Sequence, residues 1–265
     1  MTDGEEGPMK DGKPQVGIPA IVLFVLVVSG VGTAFAQTEG QAAPTIKTEE
    51  QAAPAATTGE MLNRANKLRL QFEGALGIGL DSSKVGVTSD GDDVKISGGG
   101  GAGFGVTMGY GLSKSVDIDC TLGVQASGLQ PAVKNADGSF TRSFLLATAK
   151  YKVPIRENLQ WKFGLGAGYY MAGELDIDID PGVPGAGHFI VDYKNAAGVH
   201  ATGELEISLR SNLMLAVGLK YYMVTYKADK TTSNGASQPV SSLPDEYRDF
   251  NGDGVDVTVG LGILF

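Results

Sequence analysis

The sequence predicts an all-β fold, an eight-stranded antiparallel up-and-down transmembrane β-barrel. Three observations carry that expectation. The last stretch alternates strictly: Val255, Val257, Val259, Leu261, Ile263 and Phe265 fall on one face, and Asp256, Thr258, Gly260 and Gly262 on the other. That is the two-residue period of a strand. Seven stretches upstream repeat the pattern over the ~9–11 residues that a tilted strand needs to cross a bilayer. The connections between stretches also alternate in length, three short (near 114, 156 and 211) and four long (81–99, 128–140, 174–194 and 227–254). Short turns on one side and long loops on the other are expected of a membrane barrel.

Residues 1–36 read as a secretory signal peptide. Lys10 and Lys13 precede the apolar run Ile18–Val28, and Ala34-Phe35-Ala36 supplies a small-residue cleavage site. Asp3, Glu5 and Glu6 are out of place in a basic leader, and Met9 makes the more ordinary start. The small and polar residues from Ser29 onward leave the run short of the ~20 residues of a membrane helix. Residues 37–62 form a linker of Gln, Ala, Pro, Thr and Glu, with QAAP at 41–44 and again at 51–54. Such a composition cannot bury a core and predicts a disordered spacer. The barrel is expected over 63–265. A single cysteine, Cys120, rules out an internal disulfide framework. A net charge of −9 offers no basic surface to nucleic acid.

Taken in order, the apolar faces begin with Leu68, Leu70, Phe72, Leu76, Ile78 and Leu80. Ala102, Phe104, Val106, Met108, Tyr110 and Leu112 follow, then Val116, Ile118, Cys120, Leu122 and Val124. The fourth stretch has Leu145, Ala147, Ala149, Tyr151 and Val153; the fifth has Leu159, Trp161, Phe163, Leu165, Ala167, Tyr169 and Met171. Val199, Ala201, Leu205, Ile207 and Leu209 make the sixth, and Leu213, Leu215, Val217, Leu219, Tyr221 and Met223 the seventh. The intervening positions carry glycine, hydroxyls and charges. A soluble cup with the apolar faces inside would crowd aromatics into an eight-strand bore and expose glycine rows and charges. The apolar faces therefore belong outside, against lipid. Tyr110, Tyr151, Trp161 and Phe265 then form one aromatic rim, and Phe104, Tyr169 and Tyr221 the other.

This alternation and the terminal Phe265 resemble the small outer-membrane barrels of Gram-negative bacteria, of the OmpA transmembrane-domain and OmpX type. The resemblance covers residues 63–265 and implies a place in the outer membrane, with both chain ends in the periplasm. It implies that the barrel-assembly machinery, supplied by periplasmic chaperones, reads the closing strand through Phe265. It further implies that lipid and lipopolysaccharide surround the barrel. No periplasmic domain is expected beyond the closing strand, which departs from full-length OmpA proteins. The resemblance speaks for architecture and says little about activity.

The lumen face carries Arg69, Lys150, Lys152 and Lys162 together with Glu73, Asp117, Asp119, Glu204 and Glu206. Unpaired charge in a narrow interior is costly, so these residues are expected to pair across strands and plug the bore. That predicts a non-enzymatic structural or surface-interaction protein whose loops meet an extracellular ligand. A small-solute or hydrophobic-ligand channel is the alternative, since Gly77, Gly79, Gly101, Gly103 and Gly168 leave space near Tyr170, Tyr222 and His200 unless the tyrosine rings fill it. A lipid A-modifying enzyme is the third reading. Only His188 and His200, the latter near Thr202, are available to it, and no serine nucleophile stands at matching spacing. The four long loops hold 15 acidic residues against 7 basic. Within them Asp249, Asn251 and Asp253, followed by Gly254, match the start of an EF-hand-type calcium loop. Position 12 of that pattern is Gly260 instead of Glu, so the expectation is no cofactor beyond weak calcium, helped by Asp176, Asp178 and Asp180, or else a plain polar turn.

Overall fold

The computed structural model describes residues 64–88, 91–181 and 186–265, and the expected leader (1–36) and linker (37–62) lie outside the described residues. Among the described residues no helix is long and apolar enough to cross a membrane. The strands are β1 (Leu68–Gly79), β2 (Ser83–Val87), β3 (Asp93–Ile96), β4 (Gly100–Gly111), β5 (Val116–Gly128), β6 (Ala136–Arg156) and β7 (Leu159–Ile179). After them come β8 (Gly187–Tyr193), β9 (Ala196–Ser208), β10 (Leu213–Ser233), β11 (Ala236–Gln238), the four-residue helix α1 (Asp245–Arg248), β12 (Asp249–Asn251) and β13 (Gly254–Leu264).

Eight of these strands close an antiparallel ring in the order β1, β4, β5, β6, β7, β9, β10 and β13. β13 returns to β1, from Arg69 opposite Leu264 to Gly79 opposite Gly254. A walk around the ring leaves β7 at Leu159 and passes Ile207, Leu215, Leu261, Phe72, Val106, Leu122 and Leu145. It regains β7 at Tyr169, ten residues further on. That stagger over eight strands sets a tilt of about 40° and a bore only wide enough to be filled by side chains.

Faces follow the sequence alternation. Leu122, Leu165, Leu219 and Leu261 are exposed on the outside, whereas Arg69, Lys162, Glu206 and Asp256 are buried inside. Apolar outside and charged inside is the reverse of a soluble protein and fits lipid as the surrounding solvent. Tyr110, Tyr151, Trp161, Phe265, Phe104, Tyr169 and Tyr221 all lie on this outer surface, and Trp161 stacks on Phe163 at 6.0 Å.

The expectation of loops at 128–140, 174–194 and 227–254 is corrected, because much of that sequence is strand. β6 starts at Ala136, β7 runs on to Ile179, β8 fills Gly187–Tyr193 and β10 runs on to Ser233. The first connection, 81–99, also contains the β2–β3 hairpin. A β-bulge explains how β7 continues. The register of β6 against β7 slips between Thr141–Glu174 and Ser143–Met171. Before the slip, odd-numbered Leu165 and Tyr169 face out; after it, odd-numbered Leu175 and Ile177 are buried and Glu174 and Asp178 meet water. The sequence keeps its apolar residues odd throughout, while one extra residue turns them from lipid to core. On β6 the outward side changes from Leu145 to Ser143 and Thr141, and on β10 from Met223 to Thr225 and Lys227, with Phe140 and Tyr226 turned inward. Beyond the belt the molecule is built like a soluble protein. Its core is Phe140, Leu175, Ile177, Val191, Tyr193 and Tyr226, packed with Ile96, Leu243, Tyr247 and Phe250.

Candidate functional site: a lumen closed at two levels

The first closure lies near the end of the barrel with short turns. Arg69 donates to both oxygens of Asp119, at 2.6 and 2.5 Å, and to Glu206 Oε2 at 3.1 Å. Lys162 Nζ bridges Asp117 at 3.0 Å and Glu206 at 2.6 Å. Lys152 holds the other oxygen of Asp117 at 2.6 Å, and Lys150 lies 3.0 Å from both Asp119 and Glu204. Arg64, just before β1, completes the layer through Glu206 and through Ser208 Oγ at 2.7 Å. Gln160 donates to Glu206 Oε1 at 2.7 Å. Five cations thus meet four carboxylates, and every charge but that of Glu204, which meets Lys150 alone, is engaged more than once or hydrogen-bonded again, the condition under which buried ions are tolerable. Eight of the nine residues expected in this network are in it. Glu73 stays outside, because its cross-strand neighbours are Gly105 and Gly260, which offer no side chain.

The second closure centres on Arg142, which sequence reasoning missed by starting that strand at Leu145. Its guanidinium is buried and donates to Gln125 Oε1 at 2.7 Å, Tyr222 Oη at 2.6 Å, the Gly252 carbonyl at 3.2 Å and the Gly98 carbonyl. It lies over the Tyr222 ring, 4.7 Å from the centroid. Gln125 Nε2 in turn donates to Asp256 Oδ1 at 2.9 Å, and Lys220 approaches Asp256 at 3.4 Å. Arg142 therefore ties the segments around Gly98 and Gly252 to the barrel wall. Gly100 and Gly101 allow this close fit: both have positive φ (72° and 87°), and a Cβ would overlap the backbone of Ile78 and Gly79 or of Ala126. The signal in the sequence was Arg142 itself, in phase with Phe144, Lys150 and Lys152.

Above Arg142 the bore is filled by rings. Phe140 packs edge-on to Phe250 at 5.1 Å and to Tyr226 at 5.2 Å, and Tyr193 stacks on Phe250 at 5.4 Å. The space beside Gly168 and Gly198 is occupied by Tyr170, and that beside Gly254 by Tyr222. Outside the belt, Tyr247 donates to the Lys84 carbonyl at 2.5 Å, and burial, with repulsion from Glu246, pushes its hydroxyl up to about 12.

The calcium-like residues are spent on local structure. Asp249 lies in β12 opposite Lys227, Asn251 Oδ1 accepts from the Asp253 amide at 2.7 Å, and Asp253 Oδ1 accepts from the Val224 amide at 2.8 Å. Asp176 Oδ1 pairs with His188 Nε2 at 2.7 Å. Among the described residues no three His, Cys, Asp or Glu side chains gather as a metal-binding group. His200 is enclosed in the lumen, with Nε2 2.8 Å from Thr148 Oγ1.

These features define a closed eight-stranded transmembrane β-barrel with a filled bore. No protein-family model matches the sequence, and no curated protein matches it. Among solved structures the chain is similar to small outer-membrane barrels. For the outer membrane protein OprG of Pseudomonas aeruginosa the identity is 16%, the TM-score 0.47, and the coverage 78% of this chain and 98% of that one. For the Neisserial surface protein A the values are 12%, 0.44, 74% and 96%. For Ail, the attachment invasion locus protein of Yersinia pestis, they are 13%, 0.41, 76% and 99%.

Proposed function

We propose that this chain is a non-enzymatic outer-membrane barrel whose closed bore anchors a β-extension displayed outside the cell. The observation that carries this reading is the change of the outward face from apolar to polar along β6, β7 and β10, made on β7 through its bulge. The same strands that meet lipid continue beyond it with a polar exterior and an apolar core, which is a surface built for water and for partners. The end carrying Arg64, the short turns and Phe265 then faces the periplasm. Phe265 donates its amide to the Leu68 carbonyl at 2.9 Å, which seals β13 to β1, while its ring stays exposed for the assembly machinery and then for lipid. The absence of catalysis is supported by the placement of His200, which is enclosed and bonded to Thr148, away from lipid. A protease site inserted at Gly91 or Asn234 is expected to be cut in intact cells, and one at Lys114 to be protected. The reverse pattern would invert the barrel and place the extension in the periplasm.

A further inference from the structure

Between the ionic layer and Arg142 lies a cavity of about 30 Å³, lined by Glu73, Thr148, Lys150, His200, Thr202 and Glu204 among others. Three buried atoms of these residues have no protein partner: His200 Nδ1, Thr202 Oγ1 and Glu204 Oε1. His200 and Glu204 are only 4% and 6% exposed, so bulk solvent does not serve them. Their remaining polar atoms are already committed, His200 Nε2 to Thr148 Oγ1 at 2.8 Å and Glu204 Oε2 to Lys150 at 3.0 Å. Glu73 faces the same space without an ion pair, and a lumen-facing carboxylate in that position needs hydration.

The residues that line the cavity select its guest. Lys150 is neutralised by Glu204 and Asp119, and Lys220 lies 3.4 Å from Asp256, so no cation is left to attract an anion. The volume suits one or two water molecules, and a buried water characteristically takes two to four polar partners. Water also donates or accepts as needed, which satisfies His200 Nδ1 in either tautomer. We infer that this cavity is a water-binding site, in which a trapped water bridges His200 Nδ1, Thr202 Oγ1 and Glu204 Oε1. The lumen is thus a wet chamber between an ionic plug and an aromatic one.

Thr202→Val tests this because the two states of the cavity give opposite signs. If water is bound, the change strips a partner from it and lowers the denaturant midpoint of the refolded full-length protein. If the cavity is dry, the change removes an orphaned hydroxyl and raises the midpoint. Magnetisation transfer from water to the His200 ring, read by NMR in lipid, supplies the direct signal. The expected result is a long-lived water signal at His200 in the wild type, its loss with a lowered midpoint in Thr202→Val, and recovery of both in Thr202→Ser. No water signal at His200 in a folded wild type, or a midpoint raised or unchanged by Thr202→Val, would overturn the inference.

Discussion

At the scale of single residues, Glu206 and Arg142 matter most to closure. Glu206 faces Arg64, Arg69 and Lys162 and accepts from Gln160. Glu206→Gln removes the charge all three cations share and is expected to destabilise the barrel by ~3–5 kcal/mol, the cost of leaving buried charge uncompensated. Arg142→Met strands the Gly98 and Gly252 carbonyls and Gln125 Oε1, and a loss of similar size is expected. Both are read as lower denaturant midpoints in lipid or detergent, and an unchanged midpoint would contradict the pairing described. The ionic layer was legible from the sequence because Arg69, Asp117, Lys150, Lys162 and Glu204 all sit on the polar phase of clear alternations. Arg64 was not, since it precedes the first alternating stretch. The exclusion of Glu73 was equally hidden, because it depends on which glycines the register sets beside it.

At the scale of elements, the belt strands were readable and the extension was not. Leu175, Ile177 and Ile179 continue the odd-numbered apolar pattern of β7, so nothing in the pattern marks the bulge at which the strand leaves lipid. Acidic residues at 174, 176, 178 and 180 made the segment look like a loop, yet the first three lie on the watered face of β7 and Asp180 follows its end. In a Cys120→Ala background, Asp178→Cys is therefore expected to react with a water-soluble maleimide in lipid vesicles, and Leu165→Cys to be protected. Equal reactivity would remove the bulge as the membrane boundary. The cap over the extension has its own pH response. Tyr247 titrates near 12 when folded against 10.0 as its unshifted value. A raised value means its contribution is complete below about pH 10 and fades as pH rises through about 12. Hydrogen exchange in α1, β2 and β3 is expected to accelerate in that window ahead of exchange in the belt, and simultaneous release of both would contradict it.

At the scale of the molecule, closure of the ring and closure of the bore are separate properties. Ring closure rests on β13 pairing with both β1 and β10, and its last residues end in Phe265. Deleting Phe265 removes the amide bond to Leu68 and the exposed terminal ring, and is expected to lower the yield of heat-modifiable, assembled barrel in cells. Closure of the bore follows from a narrow eight-strand cylinder filled by the salt-bridged layer, the Arg142 junction and the aromatic core in turn. The most direct measurement is single-channel recording of the refolded wild type in planar bilayers. The expected result is no stable conductance steps, either in the wild type or when Glu206 or Arg142 is replaced singly, since each replacement leaves the other closure in place. Large, long-lived steps in the wild type would contradict a bore closed at two levels.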